Sequence, residues 1–250
     1  MTATAATIEV VCRICGQPLT LPAPEETESA LGRQLLGLAQ NAVHEACQQS
    51  HQANRLEQER IRLLELRTQA WVGICPPLYQ NTDAERLAIK RKAPQKFADA
   101  MGWSYGPKGL GFFGTTGGGK TRTAYLVLHR EHLNGRAVAA MTHTEFTSTA
   151  TRLALSDRKG EQQRWLRLMK TVDILFVDDL GKSRFTTASG DAKHGEEALW
   201  DIAEHRWSHL LPLFFTCNFA DGNALAGAMS DDKGQAFVRR LREFCTIIPF

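Results

Sequence analysis

Eight consecutive residues, Gly114-Thr115-Thr116-Gly117-Gly118-Gly119-Lys120-Thr121, fit the spacing Gly-x-x-x-x-Gly-Lys-Thr. Glycines at this density let the backbone turn so that successive N–H groups point at the β- and γ-phosphates of a nucleotide. Lys120 is placed to reach the same phosphates, and the Thr121 hydroxyl to ligate Mg²⁺. Further on, Asp178 and Asp179 follow an apolar run at 174–177. A carboxylate ending a buried strand beside a phosphate loop is where Mg²⁺ finds its water-mediated partner, so Asp178 is assigned there. Asp179 is the candidate to polarise the attacking water. Asn218 ends another apolar run, at 213–217, where an amide can orient that water or sense the γ-phosphate. A guanine-specific site would want Asn-Lys-x-Asp here. The chain has Asn218-Phe219-Ala220-Asp221, which favours ATP over GTP.

A second set of reactive residues lies near the N-terminus. Cys12-Arg13-Ile14-Cys15 and His44-Glu45-Ala46-Cys47 form Cys-x₂-Cys…His-x₂-Cys, a Cys₃His set suited to tetrahedral structural Zn²⁺. Gly16 allows the tight turn that aims backbone N–H groups at sulfur. His51, at Cys47-x₃-His51, competes with His44 as the fourth ligand. Residues 1–50 have too few apolar positions for a core of their own. Metal binding, at about 10–16 kcal/mol in small zinc modules, would supply the missing stability.

These groups need elements to hold them. Apolar runs at 110–113, 137–141, 174–177, 213–217 and 246–248 alternate with helical patterns at 121–134, 196–207 and 235–244. That rhythm predicts a mainly parallel sheet covered by helices on both faces. The final run leaves no room for a helical lid. Residues 52–70 lack Gly and Pro and carry a partial stripe through Leu56, Ile61, Leu63, Leu64 and Leu66, which reads as a charged linker helix ended by Gly73, Pro76 and Pro77. The expected organisation is a metal module at 1–50, a linker helix at 51–75 and an ATPase domain at 76–250. Residues 146–163 read as a polar helix–loop whose Arg152, Arg158 and Lys159 could touch a DNA backbone. Residues 182–195 read as a mobile loop near the nucleotide.

Composition sets the outer bounds. The 250 residues are 43% hydrophobic and 23% charged, ordinary for a globular protein, and the net charge of +3 permits nucleic-acid binding without arguing for it. No apolar run is long enough to span a membrane, and no basic stretch precedes an apolar core at the N-terminus. The expected compartment is a reducing cytoplasm, where Cys-x-x-Cys suggests metal rather than a disulfide.

Taken together, Leu110-Gly111-Phe112-Phe113-Gly114 running into the loop, Val177-Asp178-Asp179-Leu180-Gly181, Pro212-Leu213-Phe214-Phe215-Thr216-Cys217-Asn218 and Arg239-Arg240-Leu241-Arg242 resemble the DnaC-type helicase loaders. The related IstB-type transposition helpers share most of these features. Both are AAA+ ATPases of the initiator clade, and the resemblance covers residues 70–250. It implies an α/β AAA+ core, ATP hydrolysis, Asp178 and Asp179 as Walker B acids, and Asn218 as sensor I. It implies Arg240, with Arg239 second, as an arginine finger that acts on a neighbouring subunit, hence a homo-oligomer in the ATP state. Arg206 matches an arginine common in the family, and Cys217 replaces a more usual Ser. Family members bind single-stranded DNA through the core and a replicative hexameric helicase through the N-terminal part. Some phage-encoded loaders similarly carry a zinc module ahead of the ATPase. The expected function is therefore helicase loading, with a transposition helper as the alternative. A metabolic P-loop kinase is disfavoured, because no arginine-rich lid insertion separates the second and third strands.

Overall fold

The computed structural model describes residues 7–22, 34, 42–86, 88–156, 159–182, 191–229 and 231–250. The chain divides into two compact units, Met1–Glu65 and Leu66–Phe250.

The first unit opens with an antiparallel hairpin, β1 (Thr7–Val11) and β2 (Pro18–Pro22), in register from Thr7↔Pro22 to Val11↔Pro18. Its turn holds Cys12 and Cys15 and is closed by Cys12 N–H donating to Gln17 O at 2.9 Å. This hairpin was not expected, because each strand is only five residues long and both lie in a segment with little apolar periodicity. Helix α1 (Glu45–Ile74) follows, longer at both ends than the expected 52–70. Gly73 does not stop it. Pro76 does, since the residue before a proline is driven out of helical geometry. The division between the units falls within α1.

The second unit contains short helices α2 (Pro77–Gln80), α3 (Ala88–Lys92) and α4 (Pro94–Met101), then β3 (Gly109–Phe113), α5 (Lys120–Leu133), β4 (Val138–Thr142), α6 (His143–Ala154), α7 (Lys159–Thr171), β5 (Ile174–Leu180), α8 (Asp191–Ser208), β6 (Leu213–Cys217), α9 (Gly222–Ala228), α10 (Asp231–Phe244) and β7 (Cys245–Pro249). Among the described residues these strands form one parallel five-stranded sheet in the order β4-β5-β6-β3-β7. The five expected strands all occur.

Strand residues alternate between two cores. Leu110, Phe112, Ile174, Phe176 and Phe214 pack with Ala124, Tyr125, Val127 and Leu128 of α5. Leu175, Val177, Leu213 and Phe215 pack on the opposite face with Phe146 of α6, Ile202 and Trp207 of α8 and Phe237 and Leu241 of α10. Burial on both faces is why these strands read as continuous apolar runs. The last turns of α1 belong to this unit: Trp71 is buried, stacked on His129 at 4.9 Å.

Two expectations change. The polar stretch 146–163 is two helices, α6 and α7; Phe146 and Met169 anchor them in the core, so their polarity belongs to outward faces. Of the loop expected at 182–195, residues 183–190 lie outside the described residues, and from Asp191 the chain is already helical. Arg158 also lies outside the described residues.

Candidate nucleotide and metal sites

Strand order decides which side chains meet. Strand β6 lies between β3, which runs into the glycine-rich loop, and β5, which carries the two acids. The C-terminal ends of these parallel strands therefore bring Gly114–Thr121, Asp178–Asp179 and Asn218 to one edge, the usual ligand position of open α/β sheets.

Gly114 has φ 137°, and a Cβ there would lie 2.2 Å from the carbonyl oxygen of Phe250, so only glycine fits. Gly117 and Gly119 also have positive φ, 86° and 92°. Helix α5 begins directly after Gly119 with no side-chain cap, which leaves its first N–H groups and its positive end for an anion. Lys120 is buried and donates to the carbonyls of Gly114 and Thr115, each at 2.8 Å; burial lowers its pKa.

Thr121 Oγ1 donates to Asp178 Oδ1 at 2.9 Å. The same oxygen accepts from Thr216 Oγ1 at 2.5 Å. Burial raises the pKa of Asp178, against the pull of the hydrogen bonds from Thr216 and Thr121. Asp179 has φ 56°, its N–H donates to Thr216 Oγ1 at 2.8 Å, and its carboxylate accepts from Asn218 Nδ2 at 2.9 Å and Lys182 Nζ at 2.9 Å. An alcohol and a carboxylate that converge this way fit Mg²⁺: Thr121 can offer a lone pair to the ion while its O–H still donates to Asp178.

Gly117, Gly119, Lys120, Thr121, Asp178, Asp179 and Asn218 line a cleft of about 490 Å³. Leu78 and Tyr79 of α2 and Arg122 of α5 line it as well. Arg122 donates to Leu78 O at 3.0 Å and Thr82 Oγ1 at 3.2 Å, and lies 5.4 Å from the centre of the Tyr79 ring. Tyr79 also stacks on Tyr125 at 5.1 Å. Sequence reasoning missed Tyr79, Arg122, Thr216 and Lys182 as members of the site. A four-residue helix carries no periodicity, and threonine inside a strand is an ordinary β-former.

The arginines separate into different roles. Arg240 lies outside the cleft on α10, 3.7 Å from Glu204 and 3.6 Å from Glu243. Such half-exposed pairs hold an arginine by less than about 1 kcal/mol. Arg239 is exposed beside it, and Arg152 and Lys159 are exposed on α6 and α7. Arg206 is fully buried and donates to the carbonyls of Met169, Val172, Asp173 and Pro212 at 2.7–3.1 Å. It ties the end of α7 to the starts of β5 and β6, a structural task that its position before the strand did not reveal.

In the first unit Cys12 Sγ, Cys15 Sγ, a His44 ring nitrogen and Cys47 Sγ all lie within 4.8 Å of one another. Cys15 Sγ is 3.5 Å from His44 Nδ1. Backbone N–H groups of Cys15, His44 and Ile14 hold the Cys12 thiol down at about 6, whereas Cys47, sharing hydrogens with Cys15 and Cys12, is pushed up to about 11. Three sulfurs and an imidazole nitrogen crowded within 4.8 Å are the donor set a thiophilic dication satisfies, so the residues fit Zn²⁺. His51 lies along α1 outside the cluster, beside Gln48 and Arg55. Among the described residues no helix is long and apolar enough to cross a membrane.

No family model matches the chain, and no curated protein matches it in sequence. Solved structures do. The chain is similar to the DnaC helicase loader (TM-score 0.51, 18% identity, 70% of this chain and 94% of that one). It is similar to DnaI (TM-score 0.50, 21% identity, 68% and 86%). It is also similar to the replication initiator DnaA bound to AMPPCP and single-stranded DNA (TM-score 0.51, 16% identity, 70% and 50%). The chain spans half the length of that DnaA chain. At these identities the likeness is one of fold: the chain shares the fold of the DnaC, DnaI and DnaA structures.

Proposed function

We propose that the chain is an ATP-hydrolysing loader that delivers a hexameric replicative helicase to single-stranded DNA. The observation that carries the reading is the convergence of the Gly114–Thr121 loop, Asp178, Asp179 and Asn218 in one cleft, set on the fold of the DnaC loader. On nucleotide binding Lys120 exchanges two backbone carbonyls for the β- and γ-phosphates. Thr121 and Asp178 hold Mg²⁺, which when bound neutralises charge on the phosphates. Asp179 polarises the attacking water and Asn218 orients it. Arg240 gives up Glu204 and Glu243 to reach the γ-phosphate of a neighbouring copy, so that hydrolysis accompanies assembly. Cys12, Cys15, His44 and Cys47 hold Zn²⁺ and fix a small module at 1–50 that docks the helicase, with α1 leading to the ATPase domain. Exposed Arg152 and Lys159 contribute to holding DNA.

The test combines three measurements on purified protein: ATP hydrolysis with and without single-stranded DNA, capture of a hexameric replicative helicase, and the DNA form bound in the ATP state. Slow hydrolysis, ATP-dependent binding of single strands and helicase capture support loading. ATP-dependent filaments on duplex DNA with no helicase bound point instead to a transposition helper. Phosphorylation of a small molecule refutes both.

A further inference from the structure

In a regular strand, consecutive residues point to opposite faces of the sheet. Two neighbouring acids on β5 should therefore diverge, one toward the nucleotide loop and one into the opposite core. The pairing of β5 with β6 shows how the strand avoids this. Val177 is opposite Phe215 and Leu180 opposite Cys217, so the two acids Asp178 and Asp179 face the single residue Thr216. The side-chain faces record the same slip. Ile174 and Phe176 pack on the α5 face, and Leu175 and Val177 on the other. Strict alternation would send Leu180 to the α5 face, yet it is buried in the core of Leu175 and Val177. One residue of phase has been absorbed between 177 and 180. This is a β-bulge, a device that bends a strand and re-aims its side chains.

A bulge leaves backbone groups without their ladder partners, and Asp179 adds a left-handed φ of 56° that strains a non-glycine residue. Thr216 meets both demands with one hydroxyl. It accepts from the Asp179 N–H at 2.8 Å and donates to Asp178 Oδ1 at 2.5 Å. The hydroxyl is fully buried, so water does not substitute for it. Asn218, just past the end of β6, holds the Asp179 carboxylate at 2.9 Å.

We infer that Thr216 is a positioning residue for hydrolysis: its hydroxyl holds the Asp178–Asp179 bulge so that both consecutive carboxylates face the bound nucleotide. This rests on the proposed ATPase reading and adds a residue and a backbone device to it. Thr216 touches neither phosphate nor attacking water, and it acts through the two acids.

The experiment compares wild type, Thr216→Val and Thr216→Ser. Valine keeps the shape and the strand preference and removes the hydroxyl, while serine keeps the hydroxyl. Binding of a fluorescent, non-hydrolysable ATP analogue is measured with Mg²⁺ and with EDTA, beside kcat and KM. In EDTA, Thr216→Val is expected to bind within about 3-fold of wild type, because the glycine-rich loop and Lys120 are intact. Its gain in affinity on adding Mg²⁺ and its kcat are both expected to fall about 10–100-fold, the usual loss when a group that orients a metal-site carboxylate is removed. Thr216→Ser is expected within about 3-fold of wild type throughout. Equal losses with and without Mg²⁺, equal losses for valine and serine, or a Thr216→Val protein that matches an active wild type would each overturn the inference and leave the ATPase reading standing. A wild type that neither binds nor hydrolyses ATP overturns the ATPase reading and this inference with it.

Discussion

Replacing Arg206 with methionine is expected to unfold the protein more readily without changing its affinity for nucleotide. The guanidinium is fully buried and donates to the carbonyls of Met169 (2.9 Å), Val172 (2.8 Å), Asp173 (3.1 Å) and Pro212 (2.7 Å), with a longer contact to that of Lys170 (3.5 Å). Met169 stands in the last turn of α7, where helix carbonyls have no partner of their own. Methionine fills most of the volume and donates nothing. The Pro212 carbonyl keeps the Leu175 N–H at 3.4 Å, so three acceptors are stranded, and at about 2 kcal/mol each the loss is about 6 kcal/mol. Removing the charge also removes its desolvation cost. Burial depresses the guanidinium from 12.5 to about 10, which puts that cost at about 3 kcal/mol. The remainder, about 3 kcal/mol, is a sizeable part of the stability of an ordinary domain. Urea denaturation read by tryptophan fluorescence measures it, with Trp207 as a neighbouring reporter. Arg206→Lys should fall between, since an ammonium does not span the fork of acceptors. The reasoning is refuted if Arg206→Met stays within about 1 kcal/mol of wild type while hydrolysis collapses, because the residue would then serve the chemistry.

Arg240→Ala should leave nucleotide affinity within about 2-fold and lower kcat by about 10³ at concentrations where the chain assembles, as expected of a finger supplied by a neighbour; unchanged hydrolysis in steady-state assays removes Arg240 from that role. Elemental analysis should find about one zinc per chain. His44→Ala should lower it to well under half, and His51→Ala should not, because only His44 stands in the cysteine cluster; equal retention by both variants would contradict the assigned set. His143, fully buried at the start of α6, is held down at about 4 by burial, while in the unfolded chain it takes a proton near 6.5. The unfolded state therefore binds the extra proton between pH 6.5 and 4, and stability should fall by about 3 kcal/mol across that window. The contribution is fully present above pH 6.5. Denaturation midpoints of wild type and His143→Phe, followed from pH 7 to 4.5, should show the wild type falling relative to the variant if His143 is the cause, and the two falling in parallel if it is not.

What the sequence disclosed divides by the kind of signal each residue leaves. Strands β3 to β7 were legible because their apolar runs are bounded by charges and glycines, and the glycine-rich loop because its chemistry needs a fixed spacing. The same continuity hid the bulge: Ile174-Leu175-Phe176-Val177 is apolar at every position and has no phase in which a one-residue slip would show. Arg206 on a helix reads as solvated, and burial by carbonyls from distant segments leaves no local trace. Tyr79 belongs to the cleft because α2 lies against α5, a tertiary fact without a motif. The Cys₃His set was visible as two spaced pairs, but the choice between His44 and His51 required the hairpin turn and the start of α1 to be brought together.

The strand order has a consequence for how the site comes into being. Strand β3, which carries the glycine-rich loop, is flanked by β6 and β7, and β6 begins roughly 100 residues after β3 ends. At a synthesis rate of about 5–20 residues per second, the loop leaves the ribosome about 5–20 seconds before either neighbour exists. Until then its strand edges are open and Asn218 is missing. Parallel pairing across such a separation is also slow to nucleate. On the proposed ATPase reading, the nucleotide cleft is therefore complete only after β6 has been made, and a translation product truncated before β6 would carry the whole glycine-rich loop without its flanking strands or Asn218.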